Sequence, residues 1–288
     1  MKRRLIACLL ALCLVSAPAL AEDAFRYTNL VGADVQAEVQ EILTAASISR
    51  ERLETLWRWV DDYNQAMASC ESLSLAEGWT SAASPVVDYG DYYPASTAWF
   101  KTARRDYADI LCRLAAFQLL RDGITAARPV PESDWACGRD QWLVSDAEAI
   151  AQHPLVDLTE EEVETYFTLF QPVPAPDQST AAELARAVAD AWKERGVAFD
   201  GGDASLITIW LQEEGKPSAA VAHAAVLVPW EDGYLLVEKT NPQMPYQATR
   251  FASVEEVGRY MRDTLLLDYA RYGLTLGPTL VLRNDQAI

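Results

Sequence analysis

Histidine is scarce in this sequence, which contains only two histidines in 288 residues. With so few histidines, and five cysteines whose spacing matches no zinc motif, we expect no metal site. No glycine-rich phosphate-binding loop is present, so we expect no bound cofactor either. A histidine base must come from His153 or His223. His153 precedes a proline in a polar segment and is predicted to be a solvated loop histidine.

Positive charge is also scarce, with 24 Lys and Arg against 42 Asp and Glu and a formal net charge of −18. No basic stripe interrupts this acidic composition. An acidic surface repels phosphate backbones, so we expect no nucleic-acid partner and no anionic lipid partner.

Long apolar runs are absent except at the start of the chain. Residues 2–4 are basic, residues 5–15 are apolar, and residues 19–21 form a small-x-small cleavage site. This pattern predicts a signal peptide over residues 1–21, a mature start at Glu22, and a periplasmic or secreted protein without membrane insertion. The segment ending at Cys8 also resembles a lipidation box, but that alternative leaves almost no apolar stretch before the cysteine.

The remaining chain changes character near residue 200. Helical periodicity dominates residues 33 to about 196, and apolar β-branched runs dominate about 204 to 288. Helices followed by antiparallel strands are typical of an α+β fold, and we predict a single α+β domain over residues 22–288. The predicted helices cover residues 34–46, 49–67, 97–122, 159–170, 180–195 and 254–272, and the predicted strands cover 206–211, 221–228, 235–238 and 279–282.

Cys112 is the candidate nucleophile. If Asp109 caps a helix, Cys112 lies in the first turn, where the helix dipole and Arg113 lower the pKa of a thiol. If the helix begins near Thr97 instead, Cys112 lies in its middle and the dipole has no effect. A third interpretation makes Cys112 a small apolar residue of the core.

His223 and Glu238 are polar residues within two apolar strands that a short hairpin joins. A buried imidazole and a buried carboxylate both need partners. If residues 230–233 form the hairpin loop, Glu238 is the diagonal neighbour of His223 on the same face of the sheet. If residues 232–233 form a two-residue turn, Thr240 takes that diagonal place.

The order of Cys112, His223 and Glu238, on a helix and two successive strands, resembles the layout of papain-like and transglutaminase-like cysteine hydrolases. The resemblance implies that Cys112 is the nucleophile, that His223 transfers protons, and that Glu238 holds the imidazole tautomer. It also implies a cysteine hydrolase or acyltransferase acting on amide bonds of peptide or cell-wall peptide. The side chains open as oxyanion donors are Asn64, Gln65 and Gln118.

A second resemblance covers most of the mature chain and is carried by residues 25–30, 112–117, 204–209, 222–227, 236–239 and 245–251. These segments include Cys112-Arg113, His223, Glu238-Lys239 and Pro245-Tyr246-Gln247. Together they resemble the bacterial family called domain of unknown function 4300. The resemblance implies that Arg113, Lys239 and Gln247 support the site, and it assigns no substrate. The chain departs from the family pattern at Ala224, where a glycine is expected, and in having Cys70 and Cys137.

Removal of the signal peptide leaves three cysteines, so a monomer has at least one free thiol. Cys70 and Cys137 lie in loop-like segments, whereas Cys112 lies on a predicted helix. A nucleophile must remain a thiol, and we therefore predict a Cys70–Cys137 disulfide with Cys112 free.

The alternative function is a non-catalytic periplasmic binding or scaffold domain. In that case the polar trio is a satisfied core network, and the tyrosine-rich loop at residues 79–93 contacts a ligand. The reactivity of Cys112 toward a thiol-directed electrophile separates the two functions.

Overall fold

The computed structural model describes residues 25–135, 141–200 and 202–288, and the predicted signal peptide lies outside the described residues. The helices are α1 (Ala33–Ala45), α2 (Arg50–Met67), α3 (Tyr92–Thr97), α4 (Cys112–Leu120), α5 (Gln141–Gln152), α6 (Glu160–Phe170), α7 (Ala181–Arg195) and α8 (Val254–Arg271). The strands are β1 (Phe25–Thr28), β2 (Thr80–Ala82), β3 (Ile124–Ala126), β4 (Val173–Pro174), β5 (Val197–Phe199), β6 (Ser205–Gln212), β7 (Ser218–Trp230), β8 (Gly233–Lys239), β9 (Tyr246–Phe251), β10 (Thr279–Arg283) and β11 (Gln286–Ala287). The predicted α+β class is confirmed.

A large antiparallel sheet organises the fold, with strand order β11-β10-β6-β7-β8-β9-β1-β2 and with β4 paired to β7. The predicted adjacency of β7 and β8 is confirmed. The prediction that the sheet comes only from residues after about 203 is wrong, because β1, β2 and β4 also join it. Tyr27 of β1, for example, pairs with Thr249 of β9. Strands of two to four residues are too short for their alternation to be recognised in the sequence.

Both faces of the sheet are buried. Along β7, Ala224 and Val226 belong to a core that α2, α4 and α6 share, whereas Ala225 and Leu227 belong to a second core with α8. Successive strand residues point to opposite faces, so burial on both sides explains the continuous apolar run of this strand.

Helix boundaries are accurate where capping chemistry is present. Thr159 and Thr180 each form a capping box, with Glu162 and Glu183 respectively, at the starts of α6 and α7. Gly196 ends α7 with a φ of 68°, a left-handed conformation that glycine adopts without steric cost. Both helices were predicted, and the structure confirms them.

The predicted helix over residues 97–122 is wrong as a continuous element. A short π-helical turn, Ala98–Thr102, follows α3, and a non-helical segment then leads to α4. Arg104 adopts a φ of 54° there, and the indole nitrogen of Trp99 donates to the Tyr107 carbonyl at 2.9 Å. The left-handed backbone at Arg104 interrupts the helix, and a new helix begins at Cys112. The sequence patterns also missed α5.

Within the described ranges, no helix combines the length and apolar character that a membrane span requires. Even α2 and α8, with 18 residues each, carry charged residues along their lengths.

Candidate active site

The segment that leads into α4 is fixed by the buried carboxylate of Asp109. One oxygen accepts the backbone N–H of the next residue at 2.8 Å. The other accepts the N–H of Gln243 at 2.7 Å and pairs with Lys239 Nζ at 2.8 Å. Asp109 is therefore not the N-cap, because Leu111 occupies that position in an extended conformation. The helix still begins at Cys112, so the thiol lies in the first turn.

Arg113 anchors the start of α4 to the sheet. Its guanidinium binds the Asp146 carboxylate at 2.6–2.7 Å and donates to the Val221 carbonyl of β7 at 2.8 Å. Arg113 and Asp146 are both buried. A buried ion pair of this geometry holds the helix start close to His223, which lies two residues after Val221.

The hairpin of β7 and β8 brings His223 and Glu238 together. Its register pairs Ala225 with Glu238, as predicted for the loop at residues 230–233. Glu238 is therefore the diagonal neighbour of His223, and the prediction that the two share a face of the sheet is confirmed. His223 Nε2 lies 2.6 Å from Glu238 Oε2.

Cys112 and His223 are close enough that each shifts the pKa of the other. Glu238 occupies Nε2 of the ring, so Nδ1 is the nitrogen that can face the sulfur. Burial raises the pKa of the Cys112 thiol, but the charge of His223, the hydrogen bond to it and the charge of Arg113 outweigh burial and lower that pKa. Burial lowers the pKa of His223, but Cys112 and Glu238 outweigh it and raise that pKa to about 10. The lowered pKa of the thiol and the raised pKa of the imidazole both act in the direction of a thiolate–imidazolium pair.

A chain of polar side chains continues behind Glu238. The hydroxyl of Tyr260 on α8 donates to Glu238 Oε1 and accepts from Gln247 Nε2 at 3.2 Å. The hydroxyl of Tyr89 donates to Gln247 Oε1 at 2.6 Å and accepts from Asn29 Nδ2 at 2.6 Å. Gln247 was predicted to support the site, but Tyr260, Tyr89 and Asn29 were not. Only the strand pairings of the folded chain bring them near Glu238, and no local pattern indicates this.

Lys239 faces away from the site. It is fully buried, pairs with Asp109, and places Nζ 3.8 Å from the ring centre of Tyr63 and 4.9 Å from that of Tyr246. Thr240 does not take the diagonal place beside His223, and its hydroxyl donates to a carbonyl of the following turn at 3.1 Å. Lys239 therefore contacts the segment that precedes α4 from the other side of β8.

The three side chains considered as oxyanion donors lie elsewhere. Asn64 Nδ2 donates to the Leu30 carbonyl at 3.3 Å, Gln118 Nε2 donates to the Arg52 carbonyl at 3.4 Å, and Gln65 is exposed on α2. The start of α4 offers a different donor. The first backbone hydrogen bond of this helix runs from the Ala115 N–H to the Leu111 carbonyl. The Cys112 N–H lies before that bond and has no acceptor within the helix, so it can donate to an oxyanion.

The disulfide prediction joins a described residue to one that is not described. Cys70 is a free, buried thiol whose sulfur lies 3.3 Å from Ser72 Oγ. Because Cys70 is free, the structure does not show the predicted Cys70–Cys137 disulfide, and Cys137 itself lies outside the described residues. Cys112 is free, as expected for a nucleophile.

The prediction for His153 is wrong, because this residue is buried rather than solvated. Its ring stacks on Trp99 at 6.5 Å and meets the edge of Tyr107 at 4.7 Å. Burial lowers the pKa of His153, which favours a neutral core residue. In the described part of the chain, no three side chains from His, Cys, Asp and Glu are grouped to hold a metal ion.

Comparison with known proteins gives one match. No curated protein and no solved structure matches the chain. The family model described as "Domain of unknown function (DUF4300)" matches residues 26–288 and so covers the hydrogen-bonded cluster of Cys112, His223 and Glu238. The chain belongs to the DUF4300 family.

Proposed function

We propose that this protein is an exported cysteine hydrolase or acyltransferase that acts on amide bonds of peptide or cell-wall peptide. One observation carries the proposal: His223 is hydrogen-bonded to the Glu238 carboxylate and also interacts with the Cys112 thiol at the start of α4, whose pKa it lowers. A thiol, an imidazole and an orienting carboxylate in this order are the components of nucleophilic acyl transfer.

The reaction follows from the charge state of the pair. The Cys112 thiolate attacks the carbonyl carbon, and the resulting oxyanion accepts the N–H of Cys112. His223 Nδ1 then gives its proton to the leaving amine as the carbon–nitrogen bond breaks, which leaves a thioester on Cys112. Water, or a second amine, attacks the thioester while His223 takes a proton from it, and the released acid or new amide restores the thiol pair.

The sequence supports the proposed location, and the substrate class follows from that location and from analogy with other thiol sites. The basic, apolar and small-residue segments of residues 1–21 have the order of a signal peptide, which would deliver the protein to the periplasm or the medium. Amide bonds in peptide or cell-wall peptide are the acyl donors that a thiol site meets there. Cys112 is 8% exposed and the His223 side chain is 11% exposed, so a substrate must approach a largely buried pair of side chains.

The test compares two thiols of equal exposure. Cys70 and Cys112 are each 8% exposed, but only Cys112 contacts a histidine. Iodoacetamide labelling of the folded, reduced protein at pH 7, with peptide mapping, should modify Cys112 at least tenfold faster than Cys70, because the thiolate is the reactive species. Equal rates would contradict an activated thiol and leave the binding or scaffold function.

Turnover is tested with matched variants. Cys112→Ala should abolish release of amine from peptide amides and cell-wall peptides, whereas Cys70→Ala should retain it. Activity that survives Cys112→Ala would assign the chemistry to another residue. A reactive Cys112 with no turnover of either substrate class would reject the proposed substrates.

A further inference from the structure

Tyr260 is the only residue of α8 whose side chain hydrogen-bonds Glu238 among the described residues. It is 2% exposed, and its hydroxyl lies against Glu238 Oε1 while His223 Nε2 lies against Oε2 at 2.6 Å. Each oxygen of this buried carboxylate therefore has one donor in the described part of the chain. A buried carboxylate that loses a donor becomes less stable as an anion.

The backbone groups that bind Asn29 set the direction of the hydrogen bonds that run from Asn29 to Glu238. Asn29 Oδ1 accepts the Ala76 N–H at 2.9 Å, and Asn29 Nδ2 donates to the Tyr246 carbonyl at 3.0 Å. The amide of Asn29 thus has a fixed orientation, and its Nδ2 can only donate to the Tyr89 hydroxyl. The proton of Tyr89 is then free for Gln247 Oε1.

The same reasoning fixes the proton of Tyr260. Because Gln247 Oε1 accepts from Tyr89, its Nε2 faces Tyr260 and Thr249 as a donor. The Tyr260 oxygen accepts that bond, so its own proton has Glu238 Oε1 as its acceptor. Every bond from Asn29 to Glu238 therefore has one direction, and it ends on a carboxylate that accepts twice.

We infer that Tyr260 is a positioning residue of the thiol site, which acts through Glu238 and His223 and does not touch substrate. Its hydroxyl holds the Glu238 carboxylate as an acceptor, the carboxylate holds the proton on His223 Nε2, and the ring then presents Nδ1 to Cys112. The catalytic role of Tyr260 rests on the proposed function, whereas its position beside Glu238 rests on the hydrogen bonds alone.

The variant that tests this inference is Tyr260→Phe, with Tyr246→Phe as its matched control. Tyr246 is also buried, at 1% exposure, but its hydroxyl has no hydrogen-bond partner among the described residues. The readout is the thiol pKa of Cys112, from the pH dependence of its alkylation rate. Tyr260→Phe should raise this pKa by about one unit, since a hydrogen bond to a charged group is worth roughly that much, and Tyr246→Phe should leave it unchanged.

A double-mutant cycle with Glu238→Gln separates positioning from general structural support. If Tyr260 acts through the carboxylate, Tyr260→Phe should shift the thiol pKa in wild-type protein and have no further effect in the Glu238→Gln background. An equal shift in both backgrounds, or in the Tyr246→Phe control, would overturn the inference. If Tyr260→Phe does not fold, Gln247→Met is used instead. It should raise the thiol pKa of Cys112 by a smaller amount, and an unchanged pKa would contradict the inference.

A spectroscopic measurement keeps this inference distinct from the proposed function. The chain has only two histidines, so ¹⁵N-labelled histidine resolves the ring of His223 from that of His153. The Nε2 proton of His223 should be present in wild-type protein and exchange faster in Tyr260→Phe than in Tyr246→Phe. If the Nε2 proton behaves in this way but Cys112 is unreactive, the proposed function is refuted and the positioning role of Tyr260 stands. An Nε2 proton unaffected by Tyr260→Phe would refute the positioning role alone.

Discussion

Residues 238 and 239 place two buried ionisable groups on opposite faces of the same strand. Glu238 meets His223 on the face that α8 covers, and Lys239 meets Asp109 on the face that α2 and α4 cover. The His223 side chain retains 11% exposure, whereas Lys239 retains none. Lys239 is enclosed by the rings of Tyr63 and Tyr246.

The comparison shows that burial of charge does not by itself mark a reactive site. Both pairs are costly to bury and both are satisfied by hydrogen bonds. What distinguishes the Glu238 side is a proton that can move, since His223 links the carboxylate to a thiol at a helix start. The Lys239 side holds backbone segments together, because Asp109 also binds the N–H groups of Ile110 and Gln243.

The largest expected effect is on folding stability, from Lys239→Met. This change leaves the buried Asp109 carboxylate without its cation and should lower the free energy of unfolding by about 3–5 kcal/mol in urea titrations. Arg50→Met is the matched surface control, because the Arg50–Glu54 pair is 90% and 60% exposed and should contribute no more than about 0.5 kcal/mol. A loss below about 1 kcal/mol for Lys239→Met would show that backbone donors alone satisfy Asp109.

The next effect is on reactivity, from His223→Gln. Loss of the imidazolium removes the main interaction that lowers the pKa of Cys112, so alkylation at pH 7 should slow by roughly 100-fold. Glutamine can still donate to Glu238, so the stability loss should be smaller than for Lys239→Met. Unchanged alkylation would mean that the two faces of β8 do not differ in function.

The smallest effect is a pH dependence of stability. His223, whose ordinary pKa is 6.5, keeps its proton to about pH 10 in the native state, and the pKa of Cys112 lies below its ordinary value of 9.0. Below pH 9, once the native thiol has lost its proton, the two effects oppose each other, because the native state then holds one more proton on His223 and one fewer on Cys112 than the unfolded chain does. Above pH 9 only the His223 proton differs, so stability should fall by about 1 kcal/mol as the pH approaches 10.

The variant Cys112→Ser separates the titration of His223 from that of Cys112. Serine does not titrate in this range, so the fall in stability should begin near pH 6.5 rather than near pH 9. It should end at a lower pH than in wild-type protein, because the thiolate no longer raises the pKa of His223. Urea titrations at one-unit intervals from pH 6 to 10 measure both curves, and identical curves would contradict the thiolate–imidazolium pair.

The sequence predicts the parts of this molecule whose signals are local. The capping box at Thr159 and the terminating Gly196 locate the ends of two predicted helices, and the polar residues His223 and Glu238 within apolar strands indicate a site. The hairpin links these two strands within a few residues, so their register has only a few alternatives, one of which is correct.

What the sequence cannot predict depends on contacts between distant segments. Tyr260 is one of two aromatic residues on α8, and only the packing of that helix on β9 places its hydroxyl at Glu238. Asp109 has the residue type of an N-cap. Its carboxylate instead binds Lys239 Nζ and the N–H of Gln243, which are distant in sequence, so it does not cap α4. Burial of His153 follows from its stacking on Trp99 and Tyr107 and has no signal of its own.

The position of β1 in the sheet determines when the protein can become reactive. Asn29, at the end of β1, bonds to a β9 carbonyl 217 residues away, and Arg113 bonds to a β7 carbonyl 108 residues away. Contacts of such sequence separation form late in folding, because their loop-closure entropy is paid before they contribute stability. Under the proposed function, a precursor held unfolded for transport would therefore carry an ordinary thiol at Cys112, and the nucleophile would be assembled only in the compartment where folding is completed.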